Sequence, residues 1–181
     1  MDFKVCGPVA FDMAGFIAAR DDGHLPSWKK YFWEEVEKVQ NGLSVGIGVY
    51  SFLLQHGNNV KPWYVGKTSA KGGFKVEVFQ NHKAEHYSSL ASRRGSAKML
   101  FLPLVTESGK ISKNTTGGKT AIEWVERRLI SFALARNNEL LNSKDTRMES
   151  VVFVPGIIGT RRKGAPAPDA KLTRAVFLGE R

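Results

Sequence analysis

The chain lacks most of the features that usually reveal a protein's chemistry. It has one cysteine, Cys6, among 181 residues. An intrachain disulfide and a thiolate zinc site are therefore both excluded on ligand count, and a reducing compartment fits. No apolar run approaches a membrane span. Residues 5–19 are the most apolar stretch near the start, but Gly7, Pro8, Asp12 and Gly15 interrupt it and no strongly basic segment precedes it, so it does not resemble a secretory signal. The expectation is a cytoplasmic protein with no membrane partner. A complete phosphate-binding loop is also missing. Gly66-Lys67-Thr68 and Gly118-Lys119-Thr120 both end like one, yet Lys61 and Lys113 occupy the positions where its leading glycine is required. The histidines form no His-Glu-x-x-His pair and no Gly-x-Ser-x-Gly elbow occurs. Nucleotide hydrolysis, zincin-type proteolysis and serine hydrolysis therefore have no sequence support.

Acidic residues are scarce relative to basic ones. Lys and Arg number 27 against 17 Asp and Glu, a formal net charge of +10. Such a surplus attracts polyanions, nucleic acid first among them. A basic surface serving a protein partner, or one that is merely solvated, remains an alternative. With 42% hydrophobic and 24% charged residues the composition is globular, and the length favours one domain with decorations.

Periodicity divides the chain into elements. Residues 1–27 read as loop up to Ser27, which caps a helix with Trp28, Phe32, Val36 and Val39 on one face. Residues 43–54 and 63–68 read as two strands joined by a turn-forming loop, and together they make a hairpin. A single helix is predicted over 74–90, with Lys75, His82 and His86 on one side. A strand follows over 98–106, where Pro103 points to an edge or a bulge. Next comes a basic loop, then a helix over 121–135 capped by Thr120, whose apolar stripe of Ile122, Val125, Leu129, Ile130 and Ala133 contains Glu126. A further strand at 151–154, an Arg161-Arg162-Lys163 cluster and a short helix over 168–177 complete the chain.

The chemistry concentrates in the hairpin and the last long helix. Tyr50 and Tyr64 stand beside glycines on paired strands, a hydrogen-bonding and acid/base pair if they meet. Glu126 on an apolar face needs either a salt-bridge partner or a cation. One carboxylate with phosphate oxygens and waters suits a hard cation such as Mg²⁺.

Gly48-Val49-Tyr50, Tyr64-Val65-Gly66, Glu126 and Asn142, in this order and spacing, resemble the GIY-YIG nuclease family over roughly residues 42–142. The resemblance implies an α/β (α+β) fold with a small, mostly antiparallel three-stranded sheet flanked by helices. The nuclease-like core would span 43–143, with extensions at 1–42 and 144–181. It also implies cleavage of DNA with Mg²⁺ or Mn²⁺ held by Glu126. Tyr50 would accept a proton or orient water, with Tyr64 beside it, and Asn142 would position the glutamate and the end of its helix. The family's helical arginine has no counterpart, because no arginine occurs between Gly66 and Leu90. Lys75 is the nearest cationic substitute and His82 its partner, with Lys67, Arg93 or Arg94 as other sources of positive charge. Two consequences follow from the resemblance. A fold that keeps its charge without that arginine also fits a non-catalytic nucleic-acid-binding module, and a palindromic target would require a homodimer.

Overall fold

The computed structural model describes residues 1–114, 116–142 and 176. The strand expected at 151–154, the Arg161–Arg162–Lys163 cluster and, apart from Val176, the helix over 168–177 lie outside these residues. The elements in order are β1 (Asp2–Phe3), β2 (Cys6–Phe11), α1 (Met13–Asp21), α2 (Leu25–Val39), β3 (Gly48–His56), β4 (Asn59–Thr68), α3 (Gly73–Glu77), α4 (Asn81–Ser89), β5 (Ser96–Val105) and α5 (Lys119–Arg136). Among the described residues no helix is long and apolar enough to cross a membrane.

The protein is a mixed α/β fold built on an antiparallel sheet. The strand order is β1-β5-β3-β4, and β2 also pairs with β5. Five strands replace the expected three, and the additional two come from the N-terminal segment expected to be loop. That segment shows little alternation because β2 is irregular between Cys6 and Val9, and only Cys6, Val9 and Phe11 point inward. The addition also changes the place of β5, which lies inside the sheet and not at its edge. Pro103 is tolerated there because it falls where β1 gives way to β2. Leu104 N–H donates to Ile47 on the β3 side, so the donor that Pro103 lacks would have faced the gap between the two short strands.

Side-chain alternation gives the sheet two different faces. Tyr50, Phe52, Met99 and Phe101 join Phe16, Phe32, Trp33 and Phe74 in an aromatic core. Phe11 sits at its middle, ringed by Phe16, Trp28, Phe32, Phe52, Phe79 and Tyr87 with centroids no more than 6.2 Å away. On the opposite face Ile47, Val49, Val65 and Leu104 pack with Ile122, Ile130 and Ala133 of α5 in an aliphatic core. The aromatic face expected on α2 is present at Trp28, Phe32 and Val36, joined by Trp33, whereas Val39 is exposed.

The helix expected over 74–90 is two helices. Gln80 adopts an extended conformation between α3 and α4. The break leaves α3 carbonyls without helical donors, and α4 side chains supply them. Lys83 Nζ donates to Glu77 O at 3.2 Å and Tyr87 OH to Val78 O at 3.1 Å.

Candidate functional site

The hairpin register explains both glycine–tyrosine motifs. Tyr50 pairs with Gly66 and Phe52 with Tyr64, which places the two phenols diagonally across β3 and β4 with ring centroids 6.2 Å apart. A Cβ at Gly66 would lie 2.5 Å from the Tyr50 ring, so the glycine of the second motif makes room for the tyrosine of the first. Gly48 is equally constrained: its φ is +153° and a Cβ would run into the Leu102 carbonyl.

The two tyrosines differ in access. Tyr50 is enclosed, and its hydroxyl makes no hydrogen bond of ordinary geometry among the described residues. Tyr64 and Tyr87 are its phenolic neighbours and act on its ionisation. Burial, followed by those phenols and Glu77, pushes the Tyr50 phenol well above its ordinary range. Tyr64 is half-buried and pushed up to about 12, by burial first and then by Glu126. Both phenols are thus protonated at neutral pH. The role expected of Tyr50, accepting a proton or orienting water, meets here an enclosed and protonated phenol, and Tyr64 is the more accessible of the two.

Glu126 is 9% exposed and sits within the apolar stripe of α5 as expected. Its Oε2 accepts from Lys67 Nζ on β4 at 2.5 Å, and the Lys67 side chain keeps 34% of its surface in water. Glu126 also acts electrostatically on Tyr64 and on Lys83. Glu126 thus lies within electrostatic reach of Tyr64 and Lys83, although α5 and Lys67 pack on the aliphatic face of the sheet and the tyrosines on the aromatic one.

Of the two expected helical contacts, neither Lys75 nor His82 lies among these groups. Both are exposed. The cation that α4 does bring inward is Lys83, 4% exposed, paired with Glu77 and 5.6 Å from the Tyr50 ring centroid. Burial lowers the Lys83 pKa while Glu77 opposes the fall. Gln80 Nε2 holds the other Glu77 oxygen at 3.1 Å. The exchange of His82 for Lys83 follows from the helix break. A continuous helical wheel over 74–90 carries the phase of α3 into α4, and the extended Gln80 resets it. His82 remains within electrostatic reach of His86, whose ring lies 5.6 Å from that of Tyr64. Burial, then His82, lowers the His86 pKa, and Glu85 opposes the fall. Arg93 turns elsewhere, pairing with Glu139 at 2.8 Å and covering the Trp63 ring.

Asn142 braces the site by a different route from the one expected. Its Oδ1 accepts from Val65 N–H at 2.9 Å and its Nδ2 donates to Val65 O at 2.6 Å. The side chain thus grips the backbone next to Tyr64 on β4 and is not directed at the end of α5. Leu141 N–H donates to Trp63 O at 2.9 Å and Asn137 Nδ2 to Pro62 O at 2.9 Å, so the segment after α5 follows the outer side of β4.

Lys83, Glu77 and Tyr87 are the members of the cluster that sequence reasoning passed over. The four-residue step from Lys83 to Tyr87 was the available signal. Among the described residues no three His, Cys, Asp or Glu side chains come together as a metal-binding group. No family model matches the chain, and neither a curated protein nor a solved structure matches it. The chemistry of the cluster rests on its own geometry.

Proposed function

We propose that the protein is a divalent-metal-dependent endonuclease acting on DNA through a GIY-YIG-type site, with a fold of that kind at its core. The observation that carries this reading is the pairing of Tyr50 with Tyr64 beside Lys83, within electrostatic reach of a Glu126 held by Lys67, on a chain of net charge +10. The donor set fits Mg²⁺ or Mn²⁺: Glu126 offers hard carboxylate oxygens, and waters and phosphate oxygens complete the coordination. When bound, the metal supplies Lewis-acid stabilisation of charge at the phosphate and the leaving oxygen.

The chain's own groups do the remainder. Lys67 reaches Glu126 from a partly open position and can turn to a phosphate oxygen as a point charge. The Tyr64 phenol, held protonated, donates a hydrogen bond and orients water. Enclosed Tyr50 fixes the Tyr64 ring from behind, Asn142 fixes its backbone, and Lys83 contributes a stationary positive charge. Lys75 and His82 remain at the exposed rim, where they contact DNA flanking the cleaved bond. Supercoiled and linear DNA incubated with Mg²⁺ or Mn²⁺, beside Glu126→Ala, tests the proposal. Cleavage by the wild type alone supports it, and equal cleavage by both proteins removes it.

Two observations favour a second reading. Tyr50 is enclosed and Lys75 faces solvent, as in a nucleic-acid-binding module that does not cleave. That reading gives no cleavage on any substrate, with binding that weakens steeply as salt rises.

A further inference from the structure

Helix α5 carries Glu126 toward the sheet, and its opposite side is unusual in a different way. Trp124 is 61% exposed and Phe132 is 54% exposed. Arg128 lies between them, its guanidinium 5.5 Å from the centre of the Trp124 ring. The three residues recur at four-residue intervals and so form one ridge along the helix. Among the tryptophans, Trp33 and Trp63 are buried and Trp28 is half-buried, which leaves Trp124 as the indole in water. Two large exposed aromatics on one helix face mark an interaction surface.

The charge selects the partner. A second copy of the chain would bring together two molecules that each carry a net charge of +10. A polyanion with exposed π-faces matches both the arginine and the aromatics. Duplex nucleic acid presents phosphates but keeps its bases stacked inside, whereas an unpaired strand presents both. We infer that the Trp124–Arg128–Phe132 ridge binds single-stranded nucleic acid, bases stacking on the rings and phosphates meeting the arginine. The inference shares with the nuclease proposal only the premise of a nucleic-acid substrate. Together they point to substrates with an unpaired tail or branch.

The test uses the full chain and fluorescence anisotropy of a labelled oligothymidylate of about 16 nucleotides, the upper end of common site sizes. A duplex of equal length and inorganic polyphosphate serve as comparisons. Trp124→Ala is expected to weaken oligothymidylate binding about tenfold, the effect of one lost stacking contact. Trp124→Phe should retain most of the affinity, and duplex binding should be unchanged. Equal oligothymidylate affinity for wild type and Trp124→Ala overturns the inference. So does a dimer that Trp124→Ala dissociates in sedimentation, which assigns the ridge to a second copy. The two proposals fail separately: strand binding without cleavage removes the nuclease alone, and cleavage with Trp124→Ala binding unchanged removes the ridge alone.

Discussion

Two lysine–glutamate pairs lie near the tyrosines, alike in chemistry and different in the exposure of the lysine, 5% for the Lys83 side chain and 34% for that of Lys67. Lys83–Glu77 is enclosed on the helical side: the lysine also caps a helix carbonyl and the glutamate is held by Gln80. Lys67–Glu126 lies where β4 meets α5, with a lysine whose side chain is one third exposed. Ions buried with every oxygen engaged belong to the architecture, because releasing one strands the other. An ion pair with one partner partly in water can exchange that partner for a ligand at little cost. Under the proposed function, Lys83 holds the site and Lys67 meets what enters it.

The largest expected effect comes from breaking the enclosed pair. Lys83→Ala should cost about 3–5 kcal/mol of stability, measured by urea denaturation, because Glu77 is left without its counter-ion. Replacing both partners, as in Lys83→Met with Glu77→Leu, should recover much of that loss. A single substitution that leaves the midpoint unmoved would refute the architectural role. Glu126→Gln comes next: DNA cleavage should fall by about 100-fold or more, the scale of a lost transition-state charge contact, with the melting temperature little changed. A drop in melting temperature large enough to account for the lost activity would turn the pair into a second structural one.

Lys67→Met sharpens the contrast from the other side. Stability should fall by less than in Lys83→Ala, because the Lys67 side chain is one third exposed even though its partner Glu126 is buried. kcat/KM should nevertheless fall about tenfold from the lost charge-assisted contact to phosphate. Loss of stability comparable to Lys83→Ala would erase the distinction. The smallest effect is one of pH. The Tyr64 phenol is raised to about 12 in the folded state, so the folded protein holds a proton that the unfolded chain releases above its ordinary value of 10.0. The contribution is intact below that value, and stability declines as pH rises from there through about 12. Denaturation at increasing alkaline pH should show a shallower decline for Tyr64→Phe, and an identical slope would contradict the raised phenol.

Some of this was legible in the sequence and some was not, for physical reasons. The hairpin could be read because its alternation and turn residues are local, and Glu126 because a carboxylate inside an apolar stripe stands out at helical period. The strands β1 and β2 were not, since their pairing to β5 spans about half of the chain and leaves only Cys6, Val9 and Phe11 of β2 as inward residues. The break at Gln80 carries neither proline nor glycine to announce it. Lys83 was invisible for a related reason, because an isolated lysine on a helix ordinarily means solvent. Asn142 was identified from its place in the motif order, but its grip on a backbone 77 residues away depends on tertiary structure.

That grip has a consequence for solubility. A strand at the margin of a sheet offers unpaired amides to any passing chain, and hairpins as apolar as this one are prone to recruit copies of themselves. Here the amide and carbonyl of Val65 are engaged by an asparagine side chain, and the Trp63 carbonyl by the backbone of Leu141. The other margin is broken into the short β1 and β2, too brief to template much pairing. Asn137, Leu141 and Asn142 therefore act as a guard rail against fibril-like addition along β4, and a chain truncated before Asn137 would lose it.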